Sequence, residues 1–263
     1  MIFDYHLHTP LCGHAVGQPR EYVMKAIERG LIEVGFSDHN PTAFYFDDWR
    51  MRLDQLDEYL ELIEETRAEF PHFPIRLGLE CDFLLGHEEH IRYLTTLAPW
   101  DYLIGAVHYI SKDWDIDNPA KLDRWKESDV EEVWTEYFSL YTKMACSGLF
   151  DFLAHPDLVK KFNHKPHQDL SSFYKESLTA MADHKLAFEI NTAGLRKPVK
   201  EIYPEKRFLE MAFKKRIPIL ISSDAHSPSE VGSDFDIALD LIREVGYREL
   251  TLFRSRKKVV FPL

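Results

Sequence analysis

The sequence predicts an α/β fold in which a parallel sheet with crossover helices closes, or nearly closes, into a TIM-like barrel. Strand-like and helix-like segments alternate about seven times with no shift of composition between them, which is the rhythm of parallel strands linked by helices. At 263 residues that rhythm fits one large domain, 1–263, better than two small ones. A third observation concerns chemistry. Almost every strand-like run ends in a residue able to bind a metal ion, and in a parallel barrel all strand C-termini share one face.

The first strand, residues 1–8, holds His6 and His8 two apart, so both side chains face one way while Leu7 faces the other. One metal ion can take both. Pro10, Gly13, Gly17 and Pro19 break the strand just after them. Residues 19–29 read as a helix: Pro19 suits its first turn, Tyr22, Val23, Ala26 and Ile27 form an apolar face, and Gly30 stops it. A short buried strand, 32–36, ends in Ser37-Asp38-His39. An aromatic insertion, 41–51, carries Phe44, Tyr45, Phe46 and Trp49 and precedes a helix with Leu53, Leu56, Leu60 and Ile63 at helical spacing. Strand 75–83 carries Glu80, a short helix spans 88–97, and strand 102–110 carries His108.

Residues 111–128 are polar, contain Trp114 and read as a long loop. A helix with Val130, Val133, Trp134, Tyr137, Tyr141 and Met144 follows. Strand 152–155 ends in His155, and beyond it lie the basic pair Lys160 and Lys161 and a helix starting near Leu170. Strand 186–191 runs into a loop with Arg196, 204–215 is helical, and strand 217–222 ends in Ser223-Asp224-Ala225-His226. The last helix, 235–245, is stopped by Gly246. Leu250, Leu252, Val259 and Val260 in the tail predict a short closing strand or hairpin.

Composition excludes several classes of function. Net charge is −12, with 32 Lys+Arg against 44 Asp+Glu, so the basic footprint for long nucleic acid is absent, whereas a single nucleotide or small phosphate ester still fits. Cys12, Cys81 and Cys146 are odd in number and lack framework spacing, which implies a reducing setting. No stretch approaches a membrane span, and the N-terminus lacks the features of a signal peptide. The expectation is a soluble, cytoplasmic protein with no membrane partner.

The ligand-type residues at or just past strand ends are His6, His8, His14, Asp38, His39, Glu80, His108, His155, Asp224 and His226. Imidazole with a few carboxylates is the donor set of Zn, Fe or Mn, and it lacks the thiolates of a structural zinc knot. Seven histidines with Glu80 and Asp224 exceed the needs of one ion and suit two or three. Any one of these histidines alone reads as a hydrogen-bonded core residue; coincidence across seven strands does not.

The order H-x-H (His6, His8), a further His14, S-D-H at 37–39, G-x-E at 78–80, G-x-x-H at 105–108, A-H-P at 154–156 and S-D-A-H at 223–226 resembles the polymerase and histidinol phosphatase (PHP) superfamily from residue 1 to about 230. Within it the chain is similar to the stand-alone histidinol-phosphate phosphatases, in its length and in segments such as 155–161 and 189–196. The resemblance implies a distorted (β/α)7 barrel with a trinuclear site at the strand C-termini. By that analogy His6, His8, Glu80 and Asp224 hold one ion, Glu80, His108 and His155 a second, and His14, His39 and His226 a third, with Glu80 bridging two. It further implies hydrolysis of L-histidinol phosphate, a step of histidine biosynthesis, by in-line attack of a metal-bridging hydroxide. Asp224 and His226 are both candidates to protonate the departing alkoxide. Asp38 reads as orienting a ligand rather than binding metal.

No glycine-rich phosphate loop is present, so metals and cations must hold the ester. Arg196, Lys160 and Lys161 lie past strand ends on the right face, and Ser223 offers a hydroxyl. The aromatic loop 44–49 and the Trp114 loop either cover an imidazole-bearing substrate or pack on the rim; nearby Asp47, Asp48, Asp113 and Asp115 are candidate partners for its ammonium and imidazolium. His72, His87, His90, His164, His167 and His184 read as surface residues. Three rivals stand beside this reading: a phosphoesterase acting on nucleotides or oligonucleotide ends, a catalytically silent metal-binding regulatory module, and an amidohydrolase. The last typically places a lysine where this chain has His108. The sequence assigns no oligomeric state.

Overall fold

The computed structural model describes residues 2–263; Met1, at the head of the expected first strand, lies outside them. β1 (Phe3–Leu7) is followed by α1 (Pro19–Glu28), which Pro19 opens and a Gln18–Glu21 capping box closes at its N-terminus. β2 (Glu33–Phe36), α2 (Leu56–Glu69), β3 (Ile75–Asp82), α3 (Glu88–Thr95) and β4 (Tyr102–Ala106) continue the alternation. Next come the small hairpin β5 (Tyr109–Ser111) and β6 (Trp114–Asp115), then α4 (Leu122–Glu127) and α5 (Val130–Cys146), whose first amides are capped by Asp129. β7 (Phe152–Leu153), α6 (Ser171–Asp183), β8 (Ala187–Asn191), α7 (Lys206–Lys214), β9 (Ile219–Ser222) and α8 (Phe235–Val245) complete the barrel, and β10 (Glu249–Arg254) pairs antiparallel with β11 (Lys257–Pro262).

Seven strands form one parallel sheet in the order β1-β2-β3-β4-β7-β8-β9. The seam between β9 and β1 is drawn together just beyond the strand ends. There the His8 amide donates to the Ala225 carbonyl at 3.0 Å and the Ala225 amide to the His6 carbonyl at 3.1 Å. Asp4 reinforces the seam by accepting from the Ser223 and Gly232 amides, both at 3.0 Å, and from the Ser223 hydroxyl. The barrel is thus nearly closed, and the contacts that close it lie beside His6, His8 and Asp224.

Large aromatics fill the interior. The Tyr102 ring stacks on Tyr5 at 5.1 Å and lies so close to Gly35 and Gly78 that a Cβ on either would strike it. The β10–β11 hairpin covers the opposite, N-terminal end: Phe253 stacks on Phe152 at 5.3 Å, and the Ser255 and Arg256 amides donate to Asp101 just before β4.

Two sequence expectations are corrected. Strand 102–110 ends at Ala106, because β7 offers only Phe152 and Leu153 as partners, and the chain leaves the sheet with His108 beyond it. Residues 111–128 form not a plain loop but β6 and α4, packed through Trp114 edge-on against Trp125 at 5.7 Å. Of the histidines read as surface residues, His90 is half-buried on the Pro41 carbonyl at 2.9 Å and His164 stacks on Trp125 at 4.5 Å. The three cysteines are free. Among the described residues no helix is long and apolar enough to cross a membrane.

Candidate metal centre

Glu80 is the hub of the C-terminal mouth. Residues 78–82 run extended on β3, so Glu80 and Asp82 face the same way, and both are buried. Glu80 Oε1 lies 3.0 Å from His155 Nε2 and 3.7 Å from His108 Nε2; Glu80 Oε2 lies 2.9 Å from His39 Nδ1, 3.3 Å from His6 Nε2 and 3.7 Å from His8 Nε2. Asp224 forms a second, smaller hub, with Oδ1 3.3 Å from His8 Nε2, 3.6 Å from His226 Nδ1 and 3.7 Å from His6 Nε2. Its backbone is left-handed (φ 51°), a conformation Asp tolerates, and this turn lets Asp224 and His226 both face the mouth. His14 completes the set, its ring 4.6 Å from that of His226.

These donors fit a metal. His6 Nε2, His8 Nε2, His39 Nδ1, Glu80 Oε2 and His226 Nε2 are buried and lack a hydrogen-bond partner. Buried polar atoms are rarely left so, and this many lone pairs converging on one spot is what a cation resolves. Donor atoms lie within 4.8 Å of one another in the groups His6–His8–Glu80, His39–Glu80–His108, His8–His39–His226 and Cys12–His14–His226. His39 therefore sits with Glu80 and His108 as well as with His226, a closer interleaving than the resemblance implies, and the Cys12 thiol adjoins His14.

Three carboxylates stand behind the histidines. Glu189 Oε2 is 2.9 Å from His6 Nδ1, Asp82 Oδ1 is 2.8 Å from His108 Nδ1, and Asp38 Oδ1 is 3.4 Å from His8 Nδ1. The first two are hydrogen bonds that hold a proton on Nδ1 of His6 and His108 and leave Nε2 as the lone pair facing the mouth, whereas Asp38 stands near His8 without a hydrogen bond to it. The field is strongly negative. Burial opposes charging His6, yet Glu189, Asp224 and Glu80 outweigh it and raise its pKa well above the ordinary value; His8 is raised likewise by Asp224 and Asp38. Burial also opposes the Glu80 and Asp224 carboxylates, but the imidazoles around them hold both well below the usual range. Burial carries His39 down to about 4. The pocket takes up positive charge on His6 and His8 where it can, the demand a divalent ion would satisfy.

The PHP domain model matches residues 4–193, well over half of the chain. The chain belongs to the PHP domain family. Among its PHP relatives, a probable histidinol-phosphatase of Deinococcus radiodurans is 43% identical over 97% of this chain and 98% of its own length. A histidinol-phosphatase of Bacillus subtilis is 29% identical over 90% of this chain and 98% of its own. The crystal structure of histidinol phosphate phosphatase from Lactococcus lactis, complexed with zinc, L-histidinol and phosphate, superposes with a TM-score of 0.85 at 25% identity and covers 98% of both chains.

The PHP mouth opens into a cavity of about 460 Å³, lined by Glu80, Asp224 and five of the histidines together with Trp49, Asp115, Asp117, Lys161, Lys197 and Tyr203. This sorts the expected substrate contacts. Lys161 is on the wall, with Nζ 2.9 Å from Asp117 Oδ2. Lys160 is not: it is fully buried, 2.9 Å from Asp157 and donating to the Ile202 carbonyl at 2.8 Å. Ser223 is also corrected, since its amide and hydroxyl are both spent on Asp4. Arg196 lies behind the wall, donating to the Ser223 carbonyl at 2.6 Å and facing Glu230 at 3.3 Å. Of the four candidate acids only Asp115 reaches the cavity; Asp47 is held by Arg50, Asp113 by Arg124, and Asp48 is exposed. Trp49 lines the cavity, whereas Trp114 is buried against Trp125.

Sequence reasoning missed Glu189, Asp82, Asp117, Lys197 and Arg50. Asp82 carried a readable signal, two residues after Glu80 on one strand face. Lys197 is the sequence neighbour of Arg196.

Proposed function

We propose that this protein is a metal-dependent phosphomonoesterase that hydrolyses L-histidinol phosphate to L-histidinol and phosphate, acting in the cytoplasm, with residues 1–263 forming a single domain. The observation that carries the reading is the convergence of six histidines on Glu80 and Asp224, with His14 beside His226, at the floor of a cavity sized for a small ester. Near full-length likeness to proteins described as histidinol-phosphatases supports the substrate.

His6, His8, Glu80 and Asp224 would hold one divalent ion, Glu80, His108 and His155 a second, and His14, His39 and His226 a third, from among Zn, Fe and Mn. Bound there, such ions lower the pKa of a water and neutralise phosphoryl oxygens. The residues around them do the rest. Glu80, with both oxygens engaged by imidazoles, fixes the spacing of the donors. Lys197 and Lys161 bring ammonium groups to the wall for the phosphate. The Asp115 carboxylate, one oxygen of which accepts from Asn118 at 2.7 Å, faces the cationic end of the substrate, and the Trp49 ring excludes water beside it. Asp224 and His226 are the candidate groups for protonating the departing oxygen, and whichever acts must do so through an atom that does not hold an ion.

The test is phosphate release by protein reconstituted separately with Mn, Zn and Fe, from L-histidinol phosphate beside nucleotides, sugar phosphates and p-nitrophenyl phosphate. A preference for histidinol phosphate of several orders in kcat/KM is expected. Comparable weak activity on every ester overturns the substrate; metal bound without hydrolysis of any ester overturns the enzyme.

A further inference from the structure

We propose that Arg50 is a positioning residue that ties the cavity-wall loop, 41–52, to His108 through the carboxylate they share, Asp82. A fully buried arginine is uncommon and needs partners, and this one is surrounded by them. Its Nε and Nη2 grip Asp47 as a fork at 2.8 and 2.6 Å, Nη2 also reaches Asp82 Oδ2 at 2.8 Å, and Nη1 donates to the Asn40 carbonyl at 3.2 Å. The guanidinium lies 4.4 Å over the Trp49 ring.

The two carboxylates lead to different places. Asp82 Oδ1 holds His108 Nδ1 at 2.8 Å, and the Asp82 amide is fixed by Asn40 at 3.0 Å. Arg50 thus sets the carboxylate that sets the imidazole. Asp47 Oδ2 accepts from the Tyr109 hydroxyl at 2.8 Å; Tyr109 lies parallel to Trp49 (5.9 Å, 5°) and accepts from its indole N–H at 3.1 Å. Trp49 in turn stands edge-on to His39 at 4.7 Å and to His108 at 5.4 Å. One planar cation therefore supports a substrate wall and a metal-facing imidazole together. Lysine, a point charge without the fork, cannot span both carboxylates in this geometry. The consequence is coupling: Arg50 variants lose metal affinity and substrate affinity together, whereas Asp47 variants lose the second alone.

This rests on the reading of His108 as a metal-binding side chain, so His108→Ala runs in parallel. Zinc-loaded protein and the variants Arg50→Met, Arg50→Lys, Asp47→Asn and His108→Ala are dialysed against graded chelator. Retained zinc is counted, folding is checked by circular dichroism, and kcat and KM are measured separately. Expected are a 10- to 100-fold weaker hold on one ion in Arg50→Met, a smaller loss in Arg50→Lys, and in Asp47→Asn a raised KM with unchanged zinc. If Arg50→Met retains zinc as tightly as the parent and matches Asp47→Asn, the coupling is refuted and Arg50 only staples the loop. If His108→Ala keeps its full zinc complement, the metal reading of His108 fails instead. Should Arg50→Met not fold, Arg50→Lys decides: parental zinc retention refutes the coupling and weakened retention upholds it.

Discussion

Replacing Glu189 by Gln tests whether the histidines are held ready by the carboxylates behind them. The side chain is fully buried and its two oxygens take four contacts: His6 Nδ1 at 2.9 Å and the Ser222 hydroxyl at 2.7 Å on Oε2, the His155 amide at 2.9 Å and Asn191 Nδ2 at 2.7 Å on Oε1. A carboxylate accepts all four. An amide cannot, because one oxygen becomes an NH2 donor. Turned toward His155 and Asn191, that NH2 meets two other donors. Turned toward His6, it moves the imidazole proton from Nδ1 to Nε2, the nitrogen that faces Glu80 at 3.3 Å.

Either way one charge-assisted hydrogen bond is lost, worth about 1.5–3 kcal/mol. That range agrees with the 10- to 100-fold loss of metal affinity typical when the partner of a ligating histidine is removed. For a chain of this size the same energy lowers Tm by roughly 3–10 °C. The assay is zinc retention against graded chelator beside kcat and thermal melts. Ser222→Ala serves as control, since it removes a contact to Oε2 without touching His6 and is expected to leave zinc retention unchanged. A Glu189→Gln variant that holds zinc within twofold of the parent and turns over normally refutes the reasoning.

Other perturbations separate the roles of charges that the sequence could not tell apart. Burial pushes the Asp117 carboxyl up, but the Lys161 ammonium and His108 outweigh it and hold it at about 2 against an ordinary 3.8. A depressed folded-state value gives stability that is complete above pH about 4 and lost as pH falls toward 2. The gap is worth about 2 kcal/mol. Asp117→Asn should therefore flatten the fall of Tm between pH 4 and pH 2, and an unchanged slope would count against the pair. Lys197→Ala should raise KM by about tenfold or more through loss of a charged contact to phosphate, read by steady-state kinetics; an unaltered KM removes Lys197 from the site. Lys160→Met should leave KM alone and lower stability by about 3–5 kcal/mol, because Asp157 is left buried without its cation. Thermal melts and kinetics together check that split.

The barrel was legible because strand-helix alternation is written in apolar periodicity, and the donors were legible because most of them lie at or just past a strand end. What escaped was geometry set by neighbours in space. Lys160 and Lys161 are adjacent in sequence, yet one turn of backbone sends the first into the protein against Asp157 and the second onto the cavity wall. Glu189 stood in the open in the run 186–191, but its partners His6 and His155 are 183 and 34 residues away. Likewise Arg50 lies in an aromatic insertion that reads as a plain loop until Asp47 and Asp82 are seen on either side of it. Local pattern reports which way a side chain leaves its strand. It does not report what waits there.

Charge balance at the mouth bears on how many ions it takes. Five buried or nearly buried carboxyl groups, Glu80, Asp224, Asp38, Asp82 and Glu189, lie within or directly behind the histidine cluster, and among the described residues Arg50 is the one guanidinium paired with any of them. Arg50 also serves Asp47, so at least four of those charges are left over, enough for two divalent ions. A third ion at His14, His39 and His226 would meet mostly neutral imidazole, since burial and the neighbouring His8 push His226 well below its ordinary pKa. Its excess charge is balanced once a phosphoryl dianion enters the cavity. Phosphate and the third ion should therefore bind with positive coupling, each raising the affinity for the other by the same factor. Metal counted after equilibrium dialysis at a fixed low free zinc concentration should approach two per chain without phosphate and three with it. Three tightly held ions without phosphate, or a count that phosphate does not change, would show that the imidazoles alone carry the third site.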